Sequence, residues 1–215
     1  MTLRTRASAL LRDRSGLAMV ELAYGLPLFL AMALPGIEVA NFVTTKMRMS
    51  QVALHIADHA ARMGTGSLLA AKTISESEVN DVLIGAGMQS GELDVYKNGR
   101  IILSSLEPMA NPNTKKEFKI TWQRCKGDKV HPSSFGTEYN ATTKKPVLKG
   151  MGFPDRVVGA PNGNITMFVE VYYEYKPILG TNFTPWKSMT ETAAMTVRER
   201  RESGPPVDDA VKAAC

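Results

Sequence analysis

Residues 17–37, LAMVELAYGLPLFLAMALPGI, form an apolar run broken by one charge, Glu21. A helix of that length covers about 31 Å, against about 30 Å for the hydrocarbon layer of a bilayer. The run is preceded by Arg4, Arg6, Arg12 and Arg14, and basic residues beside a spanning helix stay on the cytoplasmic side. The sequence therefore predicts one crossing of a membrane, with everything after about Asn41 facing away from the cytoplasm. A buried core helix of a soluble protein is the alternative, which the Arg-rich flank and the length disfavour.

Glu21 is costly within such a segment and needs a partner. Cleavage between Gly16 and Leu17 would give Leu17 a free amino group and make Glu21 the fifth residue of the new chain. An ammonium and a carboxylate four residues apart share one helix face, and the same pair can form between neighbouring subunits. A Glu snorkelling at the cytoplasmic edge is the simpler reading.

The formal charge of +5 would suggest a polyanion partner, were it not local. Four of the 26 basic and one of the 21 acidic residues lie in 1–16, leaving +2 for the rest, so no nucleic-acid partner is expected. Cys125 and Cys215 are too few for a zinc site of the CxxC kind. In an outward-facing domain they predict a disulfide, which would tie down the tail RRESGPPVDDAVKAAC. Free thiols and bridges between subunits are the alternatives.

Past the membrane, Phe42, Met49, Ile56 and Met63 recur every seven residues with Ala53 and Ala60 between them, so the helix should continue as a packing stripe and stop at Gly64 and Gly66. Pro27 and Pro35 each remove a backbone donor and predict kinks in the membrane half. A second helix should start at Ser75, in a capping box with Glu78, carry Val79, Val82, Leu83 and Ala86 on its apolar face, and end at Gly85 and Gly87. ELDVYK and RIILSS around Asn98-Gly99 predict a two-residue hairpin. EFKITWQR, 117–124, alternates with Phe118, Ile120 and Trp122 on one face; 165–176 does so with Ile165, Met167, Val169, Val171, Tyr173 and Tyr175. A last strand is expected at about 189–198. Residues 126–164 lack periodicity and predict a long surface loop. The expected class is α+β: a long N-terminal helix, half transmembrane and half amphipathic, packed on a small antiparallel sheet of four to five strands.

His55 and His59 sit four apart with Asp58 beside them, but two ligands do not make a metal site, and His131 lies far away in the long loop. No GxSxG, HExxH or P-loop pattern occurs, and nothing supports nucleophilic use of Cys125. Neither enzyme activity nor a metal or other cofactor is expected.

RDRSGLAMVELAYGLPLF at 12–29 resembles the N-terminus of type IV pilin-like proteins: a basic leader, a Gly, then an apolar stretch with Glu five residues past the cut. It is most similar to TadE-like minor pseudopilins of the tight-adherence (Tad, or Flp) pilus system. Further points of likeness are Tyr24, Leu26-Pro27, GIEVAN at 36–41, MFVEVYYEYKPIL at 167–179 and ETAAMTVRERR at 191–201. The family has an aromatic directly after its Glu, where this chain has Leu22. The resemblance implies a prepilin-type leader over 1–16, processing by a prepilin peptidase at Gly16 and Leu17, and a pilin-like helix over 17–64 in which Glu21 serves assembly. Residues 65–215 would then be a periplasmic domain, carried at the inner membrane or on an extracellular pilus. The implied partners are the peptidase, other pilin or pseudopilin subunits and the Tad assembly platform. Two further readings compete: an ordinary signal peptide cut after Ala31-Met32-Ala33, and an uncleaved anchor for a periplasmic binding domain. They differ in the first mature residue, Leu17, Leu34 or Met1.

Overall fold

The computed structural model describes residues 15–67, 70–181, 184–207 and 210–215. Arg4, Arg6, Arg12 and Arg14 lie outside the described residues. Helix α1 runs from Ser15 to Arg62 as one element of 48 residues, passing through Pro27 and Pro35, and is therefore about 72 Å long. Its C-terminal turns complete the predicted stripe: Met49, Val52, Ala53, Ile56, Ala57 and Ala60 are buried in the main core, with Phe42 packed against it. Arg201 closes the helix end, its Nη2 donating to the carbonyls of Ala60 and Met63, two of the acceptors that a helix C-terminus leaves unsatisfied. Burial lowers the Arg201 pKa to about 10.

Helix α2, Glu76–Ser90, opens on the predicted capping box of Ser75 and Glu78. It does not end at Gly85 and Gly87 but continues through both to a cap at Gly91. Gly87 has a packing reason to be there: a Cβ would lie 2.2 Å from the Tyr96 ring. The predicted hairpin at Asn98-Gly99 is also absent. ELDVYK instead folds as a short 3-10 turn, Gly91–Leu93, and a one-turn helix α3, Val95–Asn98. Gly99 is extended and begins strand β1, where a Cβ would lie 2.2 Å from the Tyr172 carbonyl oxygen. The glycine thus serves a close strand approach, not a turn.

Among the described residues, β1 (Gly99–Pro108), β2 (Phe118–Lys126), β3 (Thr166–Glu174) and β4 (Ser188–Thr196) form one antiparallel sheet in the order β2-β1-β3-β4. The protein is α+β, with α1 packed on this sheet. One sheet face meets α1 and α2 through Leu103, Trp122, Met167, Val169 and Val171. Ile165, Tyr173 and Tyr175 join the same core, as the alternation predicted.

The face of Trp122 differs from expectation. Ser105 pairs with Trp122 and Leu106 with Ile120, leaving Thr121 as an extra residue. Such a bulge reverses the alternation, so Phe118 and Ile120 point to the opposite face from Trp122. There they meet Leu106 and Phe168 in a second core.

Residues 126–164 build the lid of that second core, so the expected surface loop is in fact a layer. Met151 and Ala160 are buried in it, with Phe135 and Leu148 packed alongside. Leu148 exchanges backbone hydrogen bonds with Phe118, both 2.8 Å, and the Tyr139 amide donates to the Ile120 carbonyl at 2.8 Å. Buried Glu170 anchors the segment by accepting from Ser133 Oγ at 2.9 Å and from the Ser134 amide. The lid satisfies its backbone through β2, through side chains and through isolated pairs of its own, Met151 with Val158 and Asn140 with Lys145.

Candidate functional site

The long helix is where the sequence places function, and its two ends differ in surroundings. From Leu17 to Ile37 the large apolar side chains face outward, among them Leu17, Leu22, Phe29 and Ile37. It is the one helix among the described residues long and apolar enough to cross a membrane, and none of its most apolar 18-residue window is buried against the protein. Gly16 lies in open space. Leu17 and Glu21 are both exposed, and their spacing puts them on one side of the helix. Among the described residues Glu21 has no ion-pair partner within the chain.

Where the exposed stretch ends, a buried carboxylate fastens it to the sheet domain. Glu38 is 3% exposed. Its Oε1 accepts from the Tyr175 hydroxyl at 2.6 Å, and its Oε2 accepts from the amides of Ile178 and Leu179 at 2.9 and 3.0 Å. Asn41 Nδ2 donates to the Tyr175 oxygen at 2.7 Å. Phe42 stacks on Trp186 at 4.4 Å and meets Tyr175 edge-on at 5.3 Å. Burial pushes the Glu38 carboxyl up, but the Tyr175 hydroxyl and the Leu179 and Ile178 amides outweigh it and hold it below its ordinary value. Tyr175 moves the other way, pushed up to about 12 by burial and by Glu38. The pair thus stays fixed, carboxylate as acceptor and phenol as donor, through neutral pH.

On the edge strand β2, across β1 from β3, Cys125 stands at disulfide distance from Cys215 with Cα atoms 4.9 Å apart. The tail is also held by hydrogen bonds: the Cys125 amide donates to the Ala213 carbonyl at 2.7 Å, and Asn80 Nδ2 to Val211 at 2.8 Å. Beside it, Arg124 donates to both carboxylate oxygens of fully buried Glu76 and to Glu138. This forked geometry secures α2 to β2.

The histidines are not brought together. His55 and His59 are exposed on α1, while Asp58 is engaged by Arg62 at 2.8 Å and Arg198 at 3.2 Å. His131 stacks on Tyr172 at 4.0 Å. Among the described residues no cluster of three His, Cys, Asp or Glu side chains could hold a metal ion.

Glu38 is the site residue that sequence reasoning did not assign. Its signal was a second carboxylate directly after the apolar run, within GIEVAN. No protein-family model, curated protein or solved structure matches this chain.

Proposed function

We propose that this protein is a structural subunit held in a membrane by Leu17–Ile37, and that it works as a minor pseudopilin of a Tad-type pilus. The observation that carries this reading is the division of α1. The domain buries one face of the helix from Glu38 onward and leaves the preceding stretch with its apolar side chains outward. Such a stretch is fit for lipid or for neighbouring helices and for little else in water. The Gly16-Leu17 step, with Glu21 four residues on, supports processing by a prepilin peptidase and pairing of the new amino terminus with a neighbour's Glu21. The activity is then partnership with other pilin-type subunits and the assembly platform to start or build the filament. Substrate turnover has no part in it.

Intact mass of the protein extracted from membranes tests the reading. A chain starting at Leu17 is expected, and replacing Gly16 by a bulky residue should leave the leader attached. A start at Leu34 or Met1, or a mass unaffected by the Gly16 change, would overturn it. Glu21→Leu should insert and be processed normally yet incorporate poorly; undiminished piliation in that variant would remove the assembly role.

A further inference from the structure

The described residues of the connection between β3 and β4 lie against the upper part of the apolar helix. Leu30, Leu34 and Pro35 of α1 form one wall of a groove of about 510 Å³, and Leu179, Pro185 and Trp186 of the connection form the other. If Leu17–Ile37 fills the hydrocarbon layer, Leu30 sits about 10 Å below its boundary. A loop that shares a groove with Leu30 and Leu34 cannot stand clear in water.

Its chemistry suits that level. Pro177, Ile178, Leu179, Pro185 and Trp186 are bracketed by Lys176 and Lys187, both exposed, and Ile178 is 62% exposed. Tryptophan favours the boundary between acyl chains and headgroups, and flanking lysines reach anionic phosphates from there. The backbone is suited as well, because donors facing lipid need partners within the protein. The Ile178 and Leu179 amides donate to Glu38 Oε2, the Trp186 amide to Thr184 Oγ1 at 3.0 Å, and the Tyr175 amide to the Lys187 carbonyl at 2.9 Å.

We propose that the described parts of this connection, 176–181 and 184–187, make a second membrane contact, seated in the leaflet at the Glu38 end of α1, and that phospholipid acyl chains fill the groove between them and the helix. This rests on reading Leu17–Ile37 as a membrane crossing. Glu38 then acts as a clamp that sets the foot at a fixed depth and so fixes the tilt of the sheet domain over the bilayer.

The two tryptophans provide the test, because Trp122 is 1% exposed in the core while Trp186 lines the groove. The full chain is reconstituted in vesicles of phosphatidylethanolamine and phosphatidylglycerol, with or without bromine on the acyl chains. Trp186 emission is taken as the difference between the chain and its Trp186→Phe variant, so the core need not be altered. Bromine should remove most of the Trp186 component, aqueous acrylamide should remove little, and Trp122 should stay bright. Resistance to alkaline extraction with Trp186 open to acrylamide and not to bromine would overturn the foot and leave the crossing standing. Shielding from both quenchers would overturn it in favour of a second protein copy in the groove. A chain that washes off the vesicles would remove the crossing, and the foot with it.

Discussion

Leu17–Ile37 and Thr45–Arg62 belong to one continuous helix, yet they meet their surroundings in opposite ways. The first carries bulky Leu, Phe and Met around its circumference and has almost nothing of its own chain against it. The second buries a single stripe, in which Met49, Val52 and Ile56 are interleaved with the small side chains of Ala53, Ala57, Ala60 and Ala61, and leaves Met47 and Leu54 exposed outside it. Small residues let the sheet approach the helix axis, while bulky residues all round suit a deformable solvent or other helices. Apolar content alone does not separate the two halves. The distribution around the axis does, and Glu38 with Asn41 and Phe42 marks the point where one regime gives way to the other.

The comparison can be broken most severely from the domain side. Replacing both Cys125 and Cys215 by Ser opens a closed loop with a sequence separation of 90, and should lower the stability of the sheet domain by about 3–4 kcal/mol. Urea unfolding in detergent, followed by Trp122 emission, measures this, and membrane retention should be unchanged. A loss below about 1 kcal/mol would mean that the tail's hydrogen bonds suffice without the bridge.

The packed half comes next. Ile56→Ala, at a site 1% exposed, should cost about 2–4 kcal/mol in the same experiment. Leu28→Ala, at an exposed position of the first half, should change domain stability by less than about 0.5 kcal/mol. Equal costs would erase the distinction between the halves.

At the junction, Glu38→Gln replaces one of two fully used carboxylate oxygens by a donor and should cost about 1–3 kcal/mol. The pH dependence has a defined sign. Because the folded Glu38 pKa lies below its ordinary 4.5, its contribution is complete above that value and is lost as pH falls through the folded value. The Gln variant should lack this acid-side component. A parallel loss in both proteins would assign it to other carboxylates.

The smallest effect is expected at Glu21. Glu21→Leu should leave sheet-domain unfolding within about 0.5 kcal/mol of the parent, whatever it does to assembly. A substantial shift would show that the membrane half and the domain are energetically coupled.

Much of this architecture could be read from residue order. The apolar run, the heptad stripe from Phe42 to Met63, the Ser75–Glu78 capping box and the alternation from Ile165 to Tyr175 are all local patterns. Their periods of 3.6 or 2 residues are set by the backbone geometry itself, so they survive without knowledge of the fold. Glu21 and the two cysteines stood out for the same reason, as residue types out of keeping with their segment or limited in number. Three features depended on tertiary structure. The bulge at Thr121 turns Trp122 away from Phe118 and Ile120, and it arises only from the register that β1 imposes on β2. The 126–164 segment becomes a lid because Leu106, Phe118, Ile120 and Phe168 leave an apolar sheet face to be covered, and Phe135, Leu148, Met151 and Ala160 cover it at irregular spacing. Glu38 is a clamp only because Tyr175, Ile178 and Leu179, some 140 residues onward, bring their donors to it. A short-range period cannot encode any of these, since each depends on which surfaces the folded chain brings together.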